Sequence, residues 1–238
     1  GPCRIFGKTV RGTTPQNSAS MDRFYWEKTI TSQGFHPLVG MDEAGRGPLA
    51  GPVVAAAVQF PAEWFEKGLP DCLHSLDDSK KLTAKKRQAL YDFLTSHQGI
   101  RFRISQVESK QIDQINILKA THNAMRNTIT AFDGPKVKHA LIDGLPVKGL
   151  PCPHTAIVKG DTKSFTIAAA SIIAKVYRDA LMDRWDEAYP QYGFAKHKGY
   201  ATQAHRQAIL HHGPCAIHRR SFLTNLQSAQ TSFEFESA

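Results

Sequence analysis

Two apolar runs, residues 38–43 (LVGMDE) and 52–60 (PVVAAAVQF), flank the turn Ala44-Gly45-Arg46-Gly47, and this arrangement constrains the fold more than any other feature. Short runs rich in small and β-branched apolar residues, punctuated by glycine turns, form strands. Residues 100–107 (IRFRISQV) alternate as a half-buried strand. His139–Asp143 (HALID) is an apolar run ending in an acid, and Thr155–Val158 is a further strand candidate. Helical patterns lie between and after these. One runs from an N-cap at Thr83 to about Ser96. In a second, Ile112, Ile115, Leu118, Met125 and Ile129 fall at helical spacing, before Asp133-Gly134-Pro135. A long Ala- and Ile-rich helix is predicted over 164–188, stopped by Pro190, and another over 202–212. Strands that begin as a hairpin-like group and then alternate with helices predict an α/β fold, a mixed β-sheet flanked by helices.

The remaining segments set the limits of that domain. Residues 1–20 are rich in Gly, Thr, Ser and Pro without hydrophobic period, so they are expected to be a tail. Gly1-Pro2 has the form of a cleavage scar and Met21 that of a native start. Residues 22–32 read as a lead-in carrying Phe24, Tyr25 and Trp26. No run of 18 apolar residues exists, no secretory h-region opens the chain, and the four cysteines form no CxxC pair. These features predict a cytoplasmic protein with no membrane association. Nothing marks an exposed apolar interface, so a monomer is expected. His211, His212, Cys215 and His218 lie close in sequence but lack the second cysteine pair of a structural zinc site.

Charge carries more functional information. Thirty Lys and Arg face 21 Asp and Glu, a net +9. The excess survives removal of the tail, and no acid occurs between Tyr189 and Ser232, where Lys196, Lys198, Arg206, Arg219 and Arg220 recur. A one-sign stretch of that kind suits a polyanionic partner. Against this basic background, four carboxylates occupy unusual positions. Asp42 and Glu43 end the first strand, Asp143 ends HALID, and Asp161 follows Lys159-Gly160 ahead of the long helix. Strand ends in α/β sheets open onto the crevice where ligands bind. Each acid alone has the alternative of being a turn or cap residue. If all four converge, their mutual repulsion calls for divalent cations, and an all-oxygen ligand set points to Mg²⁺ or Mn²⁺.

Several of these blocks are recognisable. MDEAGRGPLAGPV (41–53) resembles the signature of the type 2 ribonucleases H, the ribonuclease HII family. So do DSKKL (78–82), IDG (142–144), KGD (159–161), AAASIIAKVYRD (168–179), Tyr189-Pro190, HKGY (197–200), Gly213-Pro214, His218-Arg219 and Ser221-Phe222, in family order. The resemblance implies a ribonuclease H-like catalytic domain over 21–188, a helical C-terminal part over 189–227 that completes the substrate cleft, and a tail over 228–238. It implies that Asp42, Glu43, Asp143 and Asp161 form a catalytic, metal-holding set for two ions. It also implies that Gly45, Arg46 and Gly47 sense a ribonucleotide 2′-hydroxyl, for which glycines suit a close backbone approach. Tyr200 is expected to stack beside the next deoxyribose, and Lys80 and Lys81 to meet backbone phosphates.

The activity implied is hydrolysis of the RNA strand of RNA–DNA hybrids, and cleavage 5′ to single ribonucleotides embedded in duplex DNA, as in ribonucleotide excision repair. A two-metal-ion mechanism with water as nucleophile would leave 3′-hydroxyl and 5′-phosphate ends. Competing readings are a same-fold DNA nuclease, of the junction resolvase or integrase type, and a non-catalytic hybrid-binding module. The type 3 enzymes are set aside because only about 37 residues precede the first core strand. The C-terminal Gln230-Thr231-Ser232-Phe233-Glu234-Phe235 resembles peptides that dock on sliding clamps.

Overall fold

The computed structural model describes residues 22–76 and 82–224. A helix α1 (Tyr25–Ser32) precedes strands β1 (Leu38–Ala44) and β2 (Val53–Gln59). Helices α2 (Glu63–Lys67) and α3 (Ala84–Ser96) lead to strand β3 (Arg101–Val107). Helices α4 (Ser109–Ile115) and α5 (Ile117–Thr130) return the chain to strands β4 (His139–Asp143) and β5 (His154–Ile157). The long α6 (Phe165–Ala188) is followed by the short α7 (Phe194–His197) and by α8 (Gln203–His212). Among the described residues no helix is long and apolar enough to cross a membrane.

The five strands form one mixed sheet in the order β3-β2-β1-β4-β5. β1 is antiparallel to β2 and parallel to β4, and β4 is parallel to β5. Alternation along the strands divides the core into two layers. Leu38, Val54, Val58 and Leu141 face α6 and α3, whereas Val39, Met41, Val53, Ala57 and Ile142 face α4 and α5. Gly40 explains how closely α6 lies on the sheet: a β-carbon there would meet the Thr166 carbonyl carbon at 2.2 Å. A third cluster, Leu49, Met182, Tyr192, Phe194, Ile209 and Ile217, joins α7 and α8 to the distal half of α6.

Several expectations are met in detail. Thr83 caps α3 by accepting from the Lys86 amide at 3.3 Å, and the long helix predicted over 164–188 runs over 165–188, with Ser164, to which the sequence assigned no capping role, accepting from Ile167 at 3.2 Å. The stretch from Ile112 to Ile129 differs, being two helices and not one. Asn116 takes φ +70°, closes α4 and caps α5 with its own side chain on the Lys119 amide. The kink turns Leu118 outward, where it is half exposed, so the apparent period of five apolar residues ran across a helix boundary. The lead-in is also more than a connector, since it forms α1.

Candidate active site

Parallel pairing of β1 with β4 brings the first three carboxylates together. Met41 is in register with Ile142, so the next residues, Asp42 and Asp143, leave the sheet side by side, with adjacent strands about 4.8 Å apart. Asp42, Glu43 and Asp143 line one cavity of about 490 Å³ together with Gly45, Arg46, Gly47, Ser171, Lys175 and Tyr200. Asp42 lies on the α6 side of β1, where the close approach at Gly40 lets Ser171 hydrogen-bond its carboxyl. The Glu43 amide donates to Asp42 Oδ1 at 2.7 Å. Burial, then the charges of Glu43 and Asp143, push the Asp42 carboxyl well above its ordinary range.

Asp161 sits in a 3-10 turn, Gly160–Thr162, directly after β5. It is buried, but it is not among the residues lining that cavity. Its connection to the site runs through Gly160, whose amide donates to Asp143 Oδ1 at 2.6 Å. The lead-in helps to fix this turn. Arg23 donates to the Asp161 carbonyl at 2.7 Å and lies over the Phe165 ring. Glu27 of α1, fully buried, accepts from the Ser164 and Thr166 hydroxyls at the start of α6. Glu43 is turned toward Arg46, with Oε1 and Nη1 3.3 Å apart. As the side chains are turned, no three His, Cys, Asp or Glu groups among the described residues are gathered to chelate one ion.

The turn after β1 is held from behind by two arginines. Arg178, from α6, donates to the carbonyls of Pro52, Lys198 and Ala50, each at 2.9 Å. Arg219 donates to the carbonyls of Gly51, Arg46 and Gly45. Both are fully buried, and burial lowers both pKa values, that of Arg219 to about 9 with Arg178 as a second cause. Gly45, at φ +89°, leaves no room for a side chain: a β-carbon would meet Arg178 Nε at 2.0 Å. The C-terminal part completes the clamp, since Leu49 donates to Gly199 and Gly51 to Ile217 through their backbones.

Tyr200 follows two consecutive residues of positive φ, Lys198 and Gly199, and is 44% exposed in the wall of the cavity. A β-carbon on Gly47 would be 3.9 Å from Tyr200 Cε1, which puts this ring beside the glycine turn. Lys175 Nζ lies 5.9 Å from the ring centroid and pairs with Asp179 at 2.8 Å. Behind Tyr200 runs a chain of neutral histidines. The Cys215 amide donates to His218 Nδ1, so His218 carries its proton on Nε2 and offers it to His205 Nε2 at 3.0 Å. His205 Nδ1 then donates to the Tyr200 carbonyl at 2.8 Å. Burial brings both histidines down to about 4.

Sequence reasoning did not find the roles of Ser171, Lys175, Arg219, Arg23 or Glu27. It assigned Arg178 no role beyond its place in the block AAASIIAKVYRD; its partners are carbonyls, and Asp179 pairs with Lys175. The signal for the arginines was faint: Arg178 lies in an Ala- and Ile-rich block and Arg219 beside Arg220 in a stretch without acids. Lys80, Lys81 and residues 230–235 lie outside the described residues.

Comparison with known proteins agrees with this architecture. Residues 39–225 match the family model Ribonuclease HII. A ribonuclease HII from Caldicellulosiruptor saccharolyticus is 45% identical over 204 residues, covering 85% of this chain and 95% of the relative. The solved ribonuclease H2 from Pyrococcus horikoshii OT3 superposes with a TM-score of 0.67 at 25% identity, covering 83% of this chain and 98% of that one. The ribonuclease HII of Archaeoglobus fulgidus, solved in a complex with PCNA, gives 0.61 at 25% identity over 77% and 93%. With the family model spanning the whole sheet and the clamped turn, the chain belongs to the ribonuclease HII family and is an endoribonuclease.

Proposed function

We propose that this enzyme hydrolyses the RNA strand of RNA–DNA hybrids and cuts on the 5′ side of single ribonucleotides in duplex DNA, leaving 3′-hydroxyl and 5′-phosphate ends. The observation that carries the reading is the shared cavity: Asp42, Glu43 and Asp143 open onto the same space as the Gly45-Arg46-Gly47 turn and Tyr200. Carboxylates for phosphodiester chemistry and a backbone surface for a sugar hydroxyl are thereby within one nucleotide's reach. We further propose that the enzyme works as a monomer in the cytoplasm.

The donor set fits divalent cations. Three carboxylates face one cavity, and the Asp42 carboxyl, raised by burial and then by Glu43 and Asp143, is a group whose charged form a cation would favour. Asp42, Glu43, Asp143 and Asp161 are the residues proposed to hold two Mg²⁺ or Mn²⁺ ions, with Glu43 released from Arg46 and Asp161 turned from its buried position. When bound, such ions neutralise the phosphate and acidify the attacking water. The chain's own residues do the rest. Ser171 orients Asp42, and the Gly160 amide orients Asp143. Arg178 and Arg219 fix the turn so that its backbone groups meet the 2′-hydroxyl, which serves recognition and not attack. Tyr200 offers its exposed ring to the following sugar. Lys80 and Lys81 are proposed to meet backbone phosphates. The relative from Archaeoglobus fulgidus was solved with PCNA, and Gln230–Phe235 is the segment proposed to dock on a clamp here.

The test is a duplex carrying one ribonucleotide, incubated with and without Mn²⁺ or Mg²⁺. Cation-dependent cleavage at the ribonucleotide, with an all-DNA duplex left intact, is expected. Cutting of the all-DNA duplex, or binding without cutting, overturns the proposal.

A further inference from the structure

A second concavity, of about 190 Å³, is lined by Ile115, Lys119, His122, Asn123, Arg126 and Lys148. Lys119, His122 and Arg126 repeat at intervals of three and four along α5, so they form one stripe on the helix surface. Lys148 reaches the same hollow from the loop that leaves β4 five residues after Asp143. Its carbonyl is pinned to α5 by Arg126 Nη1 at 2.7 Å. On the other flank, His122 lies within the electrostatic field of Arg46, a wall of the catalytic cavity. Burial, then the charges of Arg126 and Arg46, hold its imidazole below the usual value.

Arg126 is held locally by the Lys148 carbonyl and the Asn123 side chain, but local stability does not account for the two lysines. Lys119 is in the first turn of α5, where the helix dipole disfavours a cation. Lys119 and Lys148 are exposed, and neither forms an ion pair among the described residues. No acid lines the hollow. Asp113 on the neighbouring α4 is already engaged by the amides of Arg220 and Ser221 and by the Ser221 hydroxyl. Three cations, Lys119, Arg126 and Lys148, converging without an acid form a site whose repulsion an anion relieves.

We propose that this hollow is a phosphate-binding groove for a strand of the substrate duplex as it leaves the catalytic cavity past Arg46 and Asp143. The proposal rests on the nucleic-acid substrate inferred above. From Lys119 to Arg126 the helix advances roughly 10 Å, against about 3.4 Å of rise per phosphate along one strand. The stripe therefore follows a backbone over two or three phosphates. It contacts no base edges, so it strengthens binding without adding sequence preference.

The experiment pairs Lys119→Ala with Lys148→Ala in the full chain. A control of equal charge, Lys136→Ala with Lys138→Ala, lies at the opposite end of β4. Binding to a duplex with one ribonucleotide is measured across a salt series, and KM and kcat are measured at one salt. The groove variant is expected to reduce the slope of log K against log salt by about 2, to raise KM about 10-fold and to leave kcat unchanged. Single methylphosphonates stepped along each strand then locate the contact. Neutralising the phosphates in the groove weakens the wild type but not the variant. Unchanged slope and KM, equal effects in the control, or a kcat loss that tracks a lowered Tm would each overturn the groove. Failure of the wild type itself to cleave this duplex would instead overturn the substrate assignment.

Discussion

The buried arginine clamp yields a prediction that separates positioning from mere stability. Arg219→Met removes three charged hydrogen bonds and leaves the carbonyls of Gly45, Arg46 and Gly51 without that donor. A hydrogen bond to a charged group contributes about 1.5–3 kcal/mol, so the gross loss is large. Opposing it, the variant no longer buries a guanidinium. The fall of the Arg219 pKa from 12.5 to about 9, by burial and then by the charge of Arg178, corresponds to a cost on the order of 5 kcal/mol for holding the cation there. The net loss is then about 2 kcal/mol, or roughly 4–8 °C in Tm for a chain of this length.

The larger effect should fall on catalysis. With its carbonyls released, the turn relaxes, and a displacement of about 1 Å at a positioning element costs about 100-fold in rate. Measured well below the lowered Tm, kcat/KM for a single-ribonucleotide duplex should drop by about that factor, while binding of all-DNA duplex is unchanged. Arg219→Lys should rescue stability better than activity, because an ammonium cannot donate to three carbonyls spread along a planar fork. A variant that loses the Tm but keeps kcat/KM within two-fold of wild type would refute the reasoning. Arg219 would then be a staple with no part in presenting the turn.

Two further outcomes follow from the titrating groups. The Asp42 carboxyl is raised by burial first and by Glu43 and Asp143 next, so its stabilising share exists at low pH and is lost as pH rises through its folded value. In EDTA at pH 8, Asp42→Asn should therefore have a higher Tm than wild type, and Mn²⁺ should raise the Tm of wild type only. Cleavage should fall by more than about 100-fold, beyond what loss of an outer-sphere metal partner costs; a lower Tm for the variant in EDTA counts against the crowded-carboxylate account. His205 and His218, brought down to about 4 by burial, bind protons when unfolded that they refuse when folded. Their share of stability is thus lost as pH falls from about 6.5 toward 4. Nitrogen-detected NMR should show both rings neutral at pH 5.5, His205 protonated on Nδ1 and His218 on Nε2; titration of either near 6.5 contradicts the hydrogen-bonded chain.

What the sequence disclosed, and what it hid, divides along a physical line. Strand patterns, the cap at Thr83, and the glycine turn after Glu43 are local signals, written within a few residues, and the structure follows them. So does the placement of Asp42, Glu43 and Asp143 at strand ends, because parallel register does the rest. Arg178, Arg219 and Glu27 obey no period. Most of their partners are backbone carbonyls and hydroxyls more than 100 residues away, and a carbonyl acceptor leaves no mark in the chain. The same blindness merged α4 with α5, since five apolar residues at helical spacing outweighed one asparagine whose φ of +70° depends on what surrounds it.

That division bears on how the site is assembled. The strand ends alone bring together three acids that repel one another, and nothing in β1 or β4 fixes the turn that follows. The turn acquires its shape only when α6 and the segment around Arg219 deliver six guanidinium hydrogen bonds to Gly45, Arg46, Ala50, Gly51, Pro52 and Lys198. The carboxylates and the backbone proposed to sense the sugar are thus coupled through packing: loosening the C-terminal part should degrade discrimination between ribose and deoxyribose before it dismantles the carboxylates.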